Sequence, residues 1–132
     1  MSVPRSIDRT DLAGATVTIT TTTETAVLTS PTLQTPKDTS FVVMLASCAF
    51  STGASATGVT LRFRQGAGVT GAQIGQSYVV NNVGASQASS AGIIATAQLQ
   101  STDYVQWTLT MQQTAATGNG SVTAASILAI SF

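Results

Sequence analysis

From Ala15 to Phe132 apolar and polar residues alternate with a period of two, the pattern of half-buried strands and not of helices. In Val59–Gln65, Val59, Leu61 and Phe63 share one side, and Thr60, Arg62 and Arg64 the other. Tyr104–Gln113 places Val105, Trp107, Leu109 and Met111 inward, with Gln106, Thr108, Thr110 and Gln112 outward. Ile93–Gln100 sets Ile93, Ala95, Ala97 and Leu99 on one face. In Ala15–Thr22, Val17 and Ile19 oppose Thr16, Thr18 and Thr20. The run Thr20–Thr23 prolongs that strand, because β-branched threonine favours extended backbone. Thr25–Ser30, Ala72–Val80 (Ile74, Tyr78 and Val80 in parity) and Ser121–Phe132 (Val122, Ala124, Leu128, Ile130 and Phe132 in register) complete the set.

Ser40–Phe50 is apolar on both sides, with Phe41, Val43 and Leu45 on one and Val42, Met44 and Ala46 on the other. One side is expected against an opposing sheet, the other against a neighbouring subunit or a covering loop. Ser51–Gly58, Gly66–Gly71, Asn81–Gly92 and Thr114–Gly120 read as turns and loops from their Gly, Ser, Ala and Asn content. Pro31 and Pro36 bracket an extended connection that cannot be a central strand. About eight strands at this spacing predict an all-β fold, an antiparallel β-sandwich or jelly roll. Met1–Ala13 carries Pro4, Arg5, Asp8, Arg9 and Asp11 without periodicity. It reads as an extended N-terminal arm, giving an arm over residues 1–14 and a β domain over 15–132.

Charged residues make up 8% of the chain, five of each sign, so the net charge is zero. With little repulsion between copies, a neutral protein tends to associate. A homo-oligomer is therefore expected; the alternative is a neutral monomer kept soluble by Thr, Ser and Gln. Five scattered cations cannot track a phosphate backbone, so no nucleic-acid partner is expected. No segment is apolar enough to suggest a membrane span, and Met1–Gly14 has no apolar stretch of signal-peptide type.

Catalytic chemistry finds no foothold in these residues. The chain has no histidine, which removes the commonest general base and most zinc sites. Asp8, Asp11, Glu24, Asp38 and Asp103 are too dispersed to suggest a carboxylate pair or a calcium loop. The Gly-rich turns lack the Lys-Ser/Thr of a phosphate cradle. Cys48, the one cysteine, lies in an apolar run and reads as a core residue. No enzyme, cofactor or metal is expected.

The segments LQSTDYVQWTLTM (Leu99–Met111) and SVTAASILAISF (Ser121–Phe132) resemble the second half of compact jelly rolls of the C1q and tumour-necrosis-factor type. VTLRFRQGAGVTGAQIG (Val59–Gly75) resembles the Thr/Gly-rich pattern of small phage head-decoration and fibre-tip domains. The likeness covers residues 15–132 and implies a jelly roll that forms a homotrimer and binds a capsid or fibre surface. The fuller aromatic core and the acidic calcium ligands of C1q-type domains are missing, so calcium binding is not implied.

Together these readings lead to a non-enzymatic bacteriophage virion protein, a capsid decoration or cement subunit. It would be assembled in the host cytoplasm and bound on the capsid surface to the major capsid protein or another virion protein. Arg5, Arg9, Arg62 and Arg64 are the candidate contacts. The alternative is a receptor- or carbohydrate-binding fibre-tip module, using loops 51–58 and 81–92 with Tyr78 or Tyr104; Trp107 has core parity.

Overall fold

The computed structural model describes residues 6–34, 41–81, 83–98 and 104–132. These form strands β1 (Ser6–Asp11), β2 (Val17–Ile19), β3 (Thr25–Thr29), β4 (Leu33–Gln34), β5 (Phe41–Ser51) and β6 (Gly58–Gln65). They continue with β7 (Gln73–Asn81), β8 (Ala88–Gln98), β9 (Tyr104–Val105), β10 (Trp107–Thr114) and β11 (Gly120–Ser131). One sheet runs β1-β11-β5-β8, with β2 also on β11, and the other runs β3-β10-β6-β7; β4 and β9 make a small third pair. Every pairing is antiparallel. Setting aside the short β2, β4 and β9, the remaining eight strands numbered in chain order read 1-8-3-6 and 2-7-4-5. That is jelly-roll order, two Greek keys folded together, so the expected fold class is observed.

The two sheets enclose one core. Val42, Met44, Ala46, Cys48 and Phe50 of β5 face Val59, Leu61 and Phe63 of β6 and Trp107, Leu109 and Met111 of β10, all buried. The Phe63 and Trp107 rings meet at a tilt, with centroids 5.8 Å apart. Each large apolar side chain fully buried here contributes about 1.5–3 kcal/mol.

Four local expectations are corrected. Thr20–Thr23 is a turn and not strand: Thr23 N–H donates to Thr20 O at 2.9 Å, and Thr21 adopts φ 36. Local bonds from Thr21 N–H to Asn119 Oδ1 (3.1 Å) and from Thr25 Oγ1 to Thr23 O (3.1 Å) outweigh β propensity where the chain crosses between sheets. Ala88–Gly92 is strand and not loop, in unbroken register with Ser47–Ser51 and onward along β5. Its Ala, Ser and Gly side chains gave no hydrophobic signal; the loop before it is tied by Thr52, whose Oγ1 donates to Gly84 O (2.7 Å) and accepts from Gln87 N–H (2.9 Å).

Thr108 and Thr110 do lie on the outer face, paired with Arg64 and Arg62, but are fully buried there and not exposed. Thr108 Oγ1 donates to Gly66 O (2.7 Å) and accepts from Gly68 N–H (3.1 Å), and so fastens the β6–β7 turn. The register of β11 shifts between Val122 and Ala124, where Thr123 is an extra residue. One inserted residue exchanges the two faces. Ala125, Ile127 and Ala129 therefore point inward, while Leu128 and Ile130 point outward.

Of the expected arm, Ser6–Asp11 is an edge strand, paired residue for residue with Ser126–Ser131.

Candidate interaction surface

The register builds the outer face of the five-stranded sheet row by row. Arg9, Leu128, Leu45 and Ile94 lie side by side across four strands, and Ile7, Ile130, Val43 and Thr96 form the next row. Strands about 4.8 Å apart make this face roughly 14 Å wide. Phe41 and Phe132 stack at its end, with ring centroids 4.7 Å apart. Among the described residues no second layer covers the face: Ile7 is 60% exposed, Leu45 39% and Ile94 61%. Contiguous exposed apolar surface of this kind marks interaction sites on soluble proteins.

Further along the same face the side chains become small. Ser126, Ser47 and Gly92 align beside Asp11, followed by Ala124, Ala49 and Ser90. They floor an open trough of about 950 Å³. Arg9, Asp11 and the turn 12–14 wall one side, and the half-exposed Tyr78 lines it as well. Arg9 Nε donates to Asp11 Oδ1 at 3.1 Å, a solvated pair that contributes little to stability. Cys48 lies on the core side of β5, where burial pushes its thiol up to about 11; at neutral pH it is not a nucleophile.

The residues proposed from sequence do not converge. Arg5 lies outside the described residues. Arg9 stands exposed on β1 beside the trough. Arg62 and Arg64 sit on the outer face of the other sheet and close on Glu24. Arg62 Nη1 donates to Glu24 Oε1 and to Gln112 Oε1, both at 2.9 Å. Arg64 donates through Nη2 to both Glu24 oxygens at 3.0 Å and through Nε to Oε2 at 3.2 Å. Thr110 Oγ1 adds a bond to Oε1 at 3.2 Å.

Glu24, isolated among threonines in the sequence, is thus the centre of an internal charge cluster. Burial raises its pKa, but hydrogen bonds and charge from Arg64 and then Arg62 more than offset this and hold it below the ordinary value. Both arginines direct their donors at their own chain. Tyr104 pairs through its backbone with Gln34, and the expectation for its side chain lies outside the described residues. Trp107 is in the core, 2% exposed. Sequence reasoning missed the outward roles of Leu128 and Ile130; the continuous run Ile127–Ile130 carried the signal, since four apolar residues in a row leave neither face polar. Among the described residues no group of three or more His, Cys, Asp or Glu side chains gathers at metal-binding distance.

No family model matches this sequence, and no curated protein does. Solved structures do. The chain superposes on a structure of the infectious bursal disease virus Gx strain with TM-score 0.57 and 12% identity, over 99% of its length and 33% of that chain. On the crystal structure of the same virus's VP2 subviral particle the TM-score is 0.52 at 12% identity, over 98% and 33%. The C-terminal domain of EclA, a sugar-binding protein, gives 0.48 at 9% identity, over 96% and 81%. What these superpositions share is a β-sandwich fold. The chain spans about a third of the length of those viral proteins, and at such identity the likeness is one of fold.

The second sheet presents a different outer surface. Gln112 Nε2 donates to Thr22 O at 2.9 Å, joining the Glu24–Arg62–Arg64 cluster to the turn beside it. That face is largely polar and internally bonded, with Val79 exposed near its β7 edge, whereas the five-stranded sheet shows Ile7, Leu45 and Ile94 uncovered among the described residues.

Proposed function

We propose that this chain is a non-catalytic structural protein of a bacteriophage virion, a decoration subunit lying on the capsid surface. The observation that carries the reading is the uncovered apolar face of the five-stranded sheet, set with Ile7, Leu45 and Ile94. Burying what remains exposed of each would contribute about 1 kcal/mol. Such a contact is weak for one copy and effective when many copies bind a lattice. Zero net charge suits an apolar and hydroxyl-bearing partner surface, and jelly rolls are a common architecture of capsid domains. The major capsid protein is the expected partner and the capsid exterior the expected location, after assembly in the host cytoplasm.

The test is sedimentation of the protein with shells that lack it. Ile7→Lys with Leu45→Lys places two cations on the face without touching the core and is expected to abolish co-sedimentation, while Arg62→Ala with Arg64→Ala leaves residual binding wherever the fold persists. Undiminished binding by the lysine variant would overturn the reading.

A second reading has one observation in its favour: the exposed Tyr78 beside a trough floored by Ser47, Ser90 and Ser126. A ring flanked by hydroxyls suits a neutral saccharide, and the protein would then be a fibre-tip module. Glycan-array binding that disappears in Tyr78→Ala would favour it; an empty array would remove it.

A further inference from the structure

Each sheet of an open sandwich ends in strands whose outward N–H and C=O groups invite another strand, and natural proteins guard such edges with charge, brevity or bulges. Three of the four edges here are guarded. β1 carries Asp8, Arg9 and Asp11 within six residues. β3 has five residues and follows directly on Glu24 and its arginine cluster. β7 is broken by a register shift opposite Leu61–Phe63 and by Gly75 at φ 72.

The fourth edge, β8, has none of these protections. Its sequence ASSAGIIATAQ contains no charge and no proline. Its eleven residues pair with β5 without any register shift. Among the described residues no backbone hydrogen bond joins β8 to a strand other than β5; β7 touches it without pairing, Gly75 against Ala95 and Tyr78 beside the trough that Ser90 and Gly92 floor, and leaves its backbone groups unpaired. The surroundings are equally neutral, since no charged residue occurs between Arg64 and Asp103.

We propose that β8 is the interface between two copies of this chain, paired edge to edge and antiparallel about a twofold axis. The two five-stranded sheets then become one continuous sheet. A second copy is the occupant the chemistry favours. An uncharged edge has nothing with which to select a charged partner, whereas twofold pairing matches each row of backbone donors and acceptors to its own image. The pairing also brings together the two Ile94 side chains, each 61% exposed in the single chain, and doubles the apolar face. The twofold stands in place of the threefold implied by the sequence resemblance, and it rests on the free edge and not on the capsid reading.

Light scattering and hydrogen exchange test this together. The native chain is expected to have twice its 13.4 kDa mass in concentrated solution. Amides of Ala88–Gln98 are expected to exchange about tenfold more slowly there than in dilute solution. Ser90→Lys with Thr96→Lys puts the natural edge guard on two exposed outer positions. That variant is expected to run at the single-chain mass with native circular dichroism. The Ile7→Lys, Leu45→Lys variant keeps the dimer while losing capsid binding, which separates this proposal from the previous one. A single-chain mass at every concentration, an assembly of three or more copies, or concentration-independent exchange along β8 would each overturn it.

Discussion

Gln113 is a polar side chain with core parity on β10, 2% exposed, and it knots three loops at one end of the sandwich. Its Oε1 accepts from the buried Gly53 N–H at 2.6 Å. Its Nε2 donates to Thr21 O at 2.8 Å, Gly118 O at 3.2 Å and Ile19 O at 3.4 Å. Gln113→Met keeps the length of the side chain and removes every one of these bonds. A buried N–H left without a partner costs about 1–3 kcal/mol, and each lost carbonyl bond adds about 0.5–1 kcal/mol. The sum runs from about 2.5 to 6 kcal/mol, and about 3 kcal/mol is taken because the two Nε2 hydrogens are shared among three carbonyl oxygens. For a chain of 132 residues, about 4 °C per kcal/mol gives a fall in Tm of about 12 °C. Thermal unfolding followed by circular dichroism measures it, with Gln112→Met on the outer face as the comparison. Gln113→Glu is expected to be worse still at pH 7 and to recover in acid, because a carboxylate aimed at three carbonyl oxygens is destabilised and its protonated form is not. A fall below about 3 °C for Gln113→Met would refute the assignment of the knot to this side chain.

Two further outcomes follow from ionisable groups. Because the Glu24 pKa is held below 4.5 in the folded chain, its stabilising effect is present above the ordinary carboxylate pKa and is lost as pH falls through the folded value. Glu24→Gln is expected to cost about 2 kcal/mol at pH 7 by stranding Arg62 and Arg64, and to flatten the loss of Tm expected for the native chain in acid; equal slopes in acid would contradict this. Cys48, buried and with its thiol pushed up to about 11, is expected to resist iodoacetamide at pH 8 until denaturant is added, as mass spectrometry would show; rapid labelling of the native chain would contradict the burial.

Where alternation was undisturbed, the fold could be read from the sequence. Val59, Leu61 and Phe63 on β6 and Trp107, Leu109 and Met111 on β10 lie in the core as their parity required. The reading failed where one residue changes the count. Thr123 reverses the two faces of β11 without any compositional mark, so Leu128 and Ile130 were assigned inward. It failed again at Ala88–Gly92, where small side chains suit a closely paired strand as well as a loop. The exposed apolar face was half legible, because Phe41, Val43 and Leu45 already showed a second apolar side on β5. The pairing of the arginines was hidden for a different reason. Their acceptor Glu24 lies 38 and 40 residues away in sequence, and only the neighbouring strands β3, β10 and β6 bring the three together.

The measurement closest to the functional claim is hydroxyl-radical footprinting of the protein free and bound to its shell. Ile7, Leu45 and Ile94 are expected to lose reactivity on binding, while Leu28 on the opposite sheet keeps its own. Protection of the Glu24–Arg62–Arg64 side, with Leu45 as reactive as in the free chain, would place the contact on the wrong sheet and contradict the assignment.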